Sequence, residues 1–164
     1  RKGFSSMSEA LKKIKSNDFE YVIFGASRPQ NGPDFSFPVH FLGWLHDDLA
    51  LRAVYSAADV MVVPSLQENL SNIIMGSLAC GTPVIGFRIG GNPDMIDHKI
   101  NGYLAKPFDP DDLAQGIEWV LNHPAPAELS QNAKQKVLDN FEASIVARQY
   151  LELYKDISEK KSNK

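Results

Sequence analysis

Cysteine is almost absent from this sequence. Cys80 is the single one among 164 residues, which excludes an internal disulfide and a cysteine-rich metal centre. Long apolar runs are missing too: none approaches the roughly 20 residues that a membrane-spanning helix needs. No signal peptide is visible at the start, so the cytoplasm is the expected compartment. Neither sign of charge dominates. A net charge of −3 argues against a dedicated nucleic-acid binder. No G-x-G-x-x-G follows an apolar run, which argues against a dinucleotide oxidoreductase. No Asp-x-Asp triplet or histidine cluster sits at the end of an apolar run, so no metal ligands are expected. No internal repeat is visible. The lysine-rich end, Lys160 to Lys164, gives only a weak attraction to a membrane surface.

What is present is 43% hydrophobic residues in short apolar runs that alternate with amphipathic stretches. The length suffices for one domain with a real core. Ser6-Met7-Ser8-Glu9 has the form of a capping box, followed by Met7, Ala10, Leu11 and Ile14 at helical spacing. Tyr21 to Gly25 predicts a buried strand, Ala26 to Asp34 a Gly/Pro-rich loop, and Val39 to Gly43 a second strand. Asp47 caps a helix with Leu51, Val54, Tyr55 and Ala58 on one face. Val60 to Val63 is a continuously apolar strand, as expected when both faces are covered.

A helix is expected from about Asn69 to Cys80, with Gly81 as its stop. Pro83 to Phe87 predicts a fourth strand, Asn92 to Asp97 a short helix and Gly102 to Ala105 a fifth strand. Asp109-Pro110-Asp111-Asp112 is a strong helix start: a capping residue, a proline at the first helical position, and acids at the positive end of the dipole. Two helices follow, the last with Val146, Tyr150, Leu153, Tyr154 and Ile157 on one stripe. Strands alternating with helices predict an α/β fold with a doubly wound parallel sheet, Rossmann-like. The expected layout is a ligand-binding domain over 2–140, a C-terminal helix over 141–158 that packs back on the domain or onto another half, and a tail over 159–164.

In such a sheet, ligands sit at the C-terminal ends of the strands. Two corners lie there. At the first, Glu68 stands between the strand ending at Val63 and the helix that follows, beside helix N–H groups suited to a polar, partly anionic ligand. At the second, Gly90-Gly91 follows the fourth strand and permits close approach of a ligand. Both corners should share one cleft. Taken alone, Glu68 could be only a first-turn helix acid, Lys2 a solvated lysine, and Trp44 a core or edge aromatic.

Several stretches, taken in order, resemble the donor-binding half of group 1 retaining glycosyltransferases of GT-B architecture. They are Lys2-Gly3, Phe41-Leu42-Gly43, Ala58-Asp59-Val60 through Pro64-Ser65, Glu68, Ala79 to Val84, Gly90-Gly91 and Asn101-Gly102-Tyr103. The resemblance implies a nucleotide sugar as donor substrate, no cofactor and no metal. It implies that Glu68 hydrogen-bonds the transferred sugar and that Lys2 stabilises the departing diphosphate, with backbone contacts from Asn69, Leu70 and Ser71. It places the base at Trp44 and Leu45. It further implies an acceptor glycan or lipid-linked sugar, bound by a preceding N-terminal domain without which this half has no turnover.

Two departures stand out. The family's acidic signature expects a second glutamate eight residues after Glu68, to hold the ribose hydroxyls, and Gly76 stands there instead. Losing one charged hydrogen bond costs about 1.5–3 kcal/mol, unless a water or a neighbouring side chain substitutes. The family's first strand, expected before Lys2, is also not found, which should leave the strands from Tyr21 and Val39 without a partner on one side. Alternatives are a degenerate scaffold module of the same fold, for which Gly76 speaks, and one half of a sugar-nucleotide epimerase.

Overall fold

The computed structural model describes residues 2–16, 18–28, 35 and 37–162. Arg1, most of the predicted Gly/Pro-rich loop (29–34) and the last two residues of the predicted tail (163–164) lie outside them. The chain alternates as expected: α1 (Phe4–Leu11), β1 (Tyr21–Phe24), β2 (Val39–Gly43), α2 (Asp48–Ala57), β3 (Met61–Val63), α3 (Asn72–Ala79), β4 (Val84–Phe87), α4 (Asn92–Met95), β5 (Gly102–Ala105), α5 (Pro110–Leu121), α6 (Pro126–Asn140) and α7 (Ala143–Ser162).

All strand pairs are parallel, but they form two sheets rather than one. β1 pairs with β2, and β3-β4-β5 form the second sheet. Among the described residues no ladder joins β1 to β3, so the break falls where the expected first strand would lie.

Alternation along β4 and β5 sends side chains to two cores. Ile85, Phe87, Tyr103 and Ala105 face Met7, Ala10 and Leu11 of α1, Ile14 just beyond it, and Leu113, Ile117 and Val120 of α5. Val84 and Leu104 face Ile74 and Leu78 of α3, Met95, Ile96 and Ala133 of α6. Helices therefore cover both faces of this sheet, which is the doubly wound arrangement. The two-stranded sheet joins the first core through Phe19, Tyr21, Phe37 and Val39.

Several boundaries differ from the sequence reading. α1 begins two residues before Ser6, with Gly3 as N-cap in the left-handed region (φ 73°), so the capping box is not used. The reason is steric. A Cβ at Gly3 would collide with the carbonyl oxygen of Pro64, so the chain turns into α1 where only glycine fits. α3 begins at Asn72, three residues after the expected start. α4 ends at Met95, because Asp97 N–H donates to the Asn101 side chain at 2.9 Å and so belongs to the next turn. α7 continues through Ser162, into the range expected as a tail. Its predicted stripe is exposed: Tyr150, Leu153, Tyr154 and Ile157 are 45–62% accessible.

Two local devices hold the outer edge of the larger sheet. Asp109 caps α5, its carboxylate accepting from the N–H groups of Asp111 and Asp112 at 3.0 and 3.2 Å. Beside edge strand β5, His98 Nδ1 accepts from Leu104 N–H at 3.1 Å. That bond requires an unprotonated Nδ1. Burial, then the positive charges of Lys99 and Arg88, lower the His98 pKa, against a smaller opposing effect of Asp112.

Two outcomes follow. Asp109→Ala should lower unfolding free energy by about 1 kcal/mol in denaturant titrations. His98, with its folded pKa below its unfolded value, binds fewer protons folded than unfolded. Its contribution is complete above about pH 6.5 and is lost as pH falls through the folded pKa. Stability should therefore decline from pH 7.5 to pH 5, and His98→Gln should flatten that decline. Parallel pH profiles for the two proteins would contradict the assignment.

Candidate functional site

The segment from Pro64 to Ser71 leaves β3 at its C-terminal end and does not wind into helix. Its backbone is instead packed against the second corner. A Cβ at Gly90 would overlap the Glu68 carbonyl oxygen, and one at Gly91 would stand 2.8 Å from the Asn69 carbonyl oxygen. Gly90 also has φ +49°. The two glycines thus permit the close approach of residues 68–70. This contact explains the late start of α3: Asn69 and Leu70 are held in a loop. The positive helix end consequently lies at Asn72, and Asn69, Leu70 and Ser71 precede it. Ser71, the N-cap, makes no side-chain cap hydrogen bond, so it takes up none of the first-turn N–H groups.

The loop also positions Glu68. Its side chain is 15% exposed, and Lys2 Nζ approaches Oε2 to 3.7 Å. Lys2 reaches it because Gly3 abuts Pro64 at the end of the same strand. The Lys2 side chain is itself 67% exposed, so this pair is largely screened. Oε2 is buried and accepts no hydrogen bond among the described residues. A buried acceptor without a donor costs about 1–3 kcal/mol, and a ligand N–H or O–H would remove that cost. Glu68, Lys2, Asn69, Leu70, Gly90 and Gly91 therefore meet at one corner.

Trp44 and Leu45 belong to a neighbouring feature, a groove of about 850 Å³ between α2 and α3. Asn72, the first residue of α3, lines it too, whereas Lys2, Glu68, Asn69, Leu70, Ser71, Gly90 and Gly91 do not. Trp44 is 67% exposed at the groove. It is therefore not a core residue, and its ring is free to take a planar partner. Asp47 sets α2 in place by accepting from Ala50 N–H at 2.7 Å.

Sequence reasoning did not assign Tyr55, Asp48, Arg52 or Asn72 to the site. All four line the groove, together with Leu51, Gly76 and others. The helical spacing of Leu51 and Tyr55 was visible, but it reads equally as a core face or a groove wall. Gly76 has Tyr55 over it: a Cβ there would lie 2.9 Å from the ring. Among the described residues, no three His, Cys, Asp or Glu side chains are grouped to hold a metal ion.

Comparison with known proteins accords with this geometry. Residues 1–123 match the family described as glycosyl transferases group 1. An uncharacterised glycosyltransferase of Methanocaldococcus jannaschii is 34% identical over 118 residues, 71% of this chain and 30% of the relative. Sucrose-phosphate synthase from Thermosynechococcus elongatus superposes with a TM-score of 0.76 and 29% identity, covering 96% of this chain and 42% of that one. Anabaena HepE in complex with UDP-glucose shares the fold at a TM-score of 0.63 and 24% identity, over 74% of this chain and 33% of its own. The chain spans less than half the length of each of these proteins. It belongs to the group 1 glycosyltransferases, as a C-terminal, Rossmann-like domain of their GT-B architecture.

Proposed function

We propose that this domain binds the nucleotide-sugar donor of a retaining glycosyltransferase. The observation that carries the reading is the buried Oε2 of Glu68, which accepts no hydrogen bond among the described residues and has Lys2 Nζ at 3.7 Å, while the groove with its exposed indole begins at Asn72, the first residue of α3. A donor sugar offers hydroxyl donors to that oxygen. Its diphosphate meets the positive end of α3 and the mobile charge of Lys2. Its base lies at Trp44 and Leu45. Asn69, Leu70 and Ser71 contribute backbone groups, and Gly90 and Gly91 keep their loop in register. The HepE complex with UDP-glucose supports the same class of ligand.

In the reaction, the bond from the anomeric carbon to the diphosphate oxygen breaks. A bond to an acceptor hydroxyl oxygen forms on the same face, and the proton that this hydroxyl loses passes to the departing diphosphate. Charge grows on the departing diphosphate, and Lys2 with the α3 N-terminus stabilises it without a metal ion. The acceptor, a glycan or lipid-linked sugar, is held by a further domain of the longer enzyme, so this half alone turns nothing over.

The break between β1 and β3 fits the same picture. An extended segment of the longer protein, laid parallel between them, pairs with both free edges and joins the sheets. Its far end leads directly to Gly3 beside Pro64.

Thermal-shift titration tests the donor reading. Millimolar UDP, GDP or ADP, or one of their sugar conjugates, should raise Tm. Glu68→Gln should weaken the best nucleotide sugar by roughly 10- to 150-fold, the range of a lost charged hydrogen bond, while binding the bare nucleotide nearly as before. No response to any of these ligands would refute the reading. A version of the protein extended at its N-terminus by the native preceding residues should melt about 5 °C higher or more, as about 2 kcal/mol would produce at this length. An unchanged Tm would rule out the joining segment.

A further inference from the structure

Tyr55 is placed as a recognition residue, and nothing in the donor reading above uses it. Its residue is 7% exposed. The ring stands edge-to-face on Phe24, with centroids 5.9 Å apart. Its main chain is pinned, because Thr82 Oγ1 donates to the Tyr55 carbonyl oxygen at 2.5 Å. On its other side the ring covers Gly76. A Cβ built there would lie 2.9 Å from Cε2 and 3.6 Å from Cζ, the atom that carries the hydroxyl. The ring edge from Cδ2 through Cε2 to Cζ therefore occupies the space that a side chain at position 76 would enter, with the hydroxyl on the Cζ end of that edge.

That oxygen is polar and still open to the groove. Tyr55 lines it. Among the described residues the hydroxyl makes no hydrogen bond, and it is not one of the sealed polar atoms. Burial, then the neighbouring Cys80, push its pKa up. The phenol thus stays protonated at neutral pH and can both donate and accept.

Distance along α3 suggests what it meets. Gly76 lies four residues beyond Asn72, about 6 Å along the helix axis. With a diphosphate at the start of α3, the group one helical turn deeper is the pentose. We propose that the Tyr55 hydroxyl recognises a pentose hydroxyl of the nucleotide, and that Gly76 is the small partner that lets the aromatic ring stand over the groove floor. This rests on the donor-binding reading. The pair Tyr55/Gly76 then performs with a neutral phenol what an acidic side chain at position 76 would perform with charge, and the two solutions exclude each other sterically.

The test is titration calorimetry with the tightest of UDP, GDP and ADP, and with its 2′-deoxy and 3′-deoxy counterparts. Tyr55→Phe keeps the ring and removes only the oxygen. It should weaken the ribonucleotide about 3- to 10-fold and leave one of the two deoxy forms unchanged. Equal affinity of Tyr55→Phe and the wild type for the ribonucleotide would overturn the proposal while leaving donor binding intact. So would an equal loss for all three nucleotides. A wild-type protein that binds no nucleoside diphosphate would overturn both. As a second arm, Gly76→Glu should lower ribonucleotide affinity by displacing the ring. A gain in affinity from that substitution would count against the Tyr55 assignment.

Discussion

The site depends on a backbone contact that only glycine allows. Residues 68–70 lie so close to Gly90 and Gly91 that a β-carbon at either would strike a carbonyl oxygen. This contact keeps Asn69 and Leu70 out of α3 and delays the helix to Asn72. It also turns Glu68 inward, where Oε2 is buried and accepts no hydrogen bond among the described residues. A second contact of the same kind, Gly3 against Pro64, delivers Lys2 to the same carboxylate. The charged pair is thus a product of close main-chain packing. Its own electrostatic contribution is small, since Lys2 is mostly in solvent.

How much of this was legible in the sequence depends on the range of the forces involved. Signals that act within a few residues were readable. Asp47 and Asp109 cap the helices that were expected, Gly81 follows α3, and the five apolar runs are the five strands. Signals that need a distant partner were not. Ser6 has capping chemistry, yet Gly3 takes the role because Pro64 stands next to it. Asn69 has a helix-start pattern, yet Gly90 and Gly91 hold it in a loop. That the Glu68 corner and the Gly90-Gly91 corner lie together was legible from their places after neighbouring parallel strands. The groove wall was not, because Leu51 and Tyr55 repeat with the same period whether they face a core or an opening. The exposed stripe on α7 shows the converse: an amphipathic pattern marks a face that wants covering, without saying what covers it.

Membership of the group 1 glycosyltransferases sharpens the meaning of Gly76. A glycine in mid-helix costs about 1 kcal/mol relative to alanine, and the acidic signature of the family loses its second member. Here that loss is matched by a gain of aromatic surface, as Tyr55 settles over the vacated position. Small and large residues facing each other across two helices are ordinary packing complementarity. At this location the same complementarity lines the groove between α2 and α3.

The divided sheet has a mechanical consequence for that groove. Trp44 and Leu45 follow β2, in the two-stranded sheet, whereas Glu68 and α3 follow β3, in the three-stranded one. Among the described residues no interstrand ladder spans the seam. The two walls meet through side-chain packing and isolated hydrogen bonds such as that from Thr82 Oγ1 to the Tyr55 carbonyl oxygen, which yield more readily than a continuous backbone ladder. Any molecule long enough to touch both walls would act as a clamp across the seam, so occupancy and the rigidity of the domain should rise together.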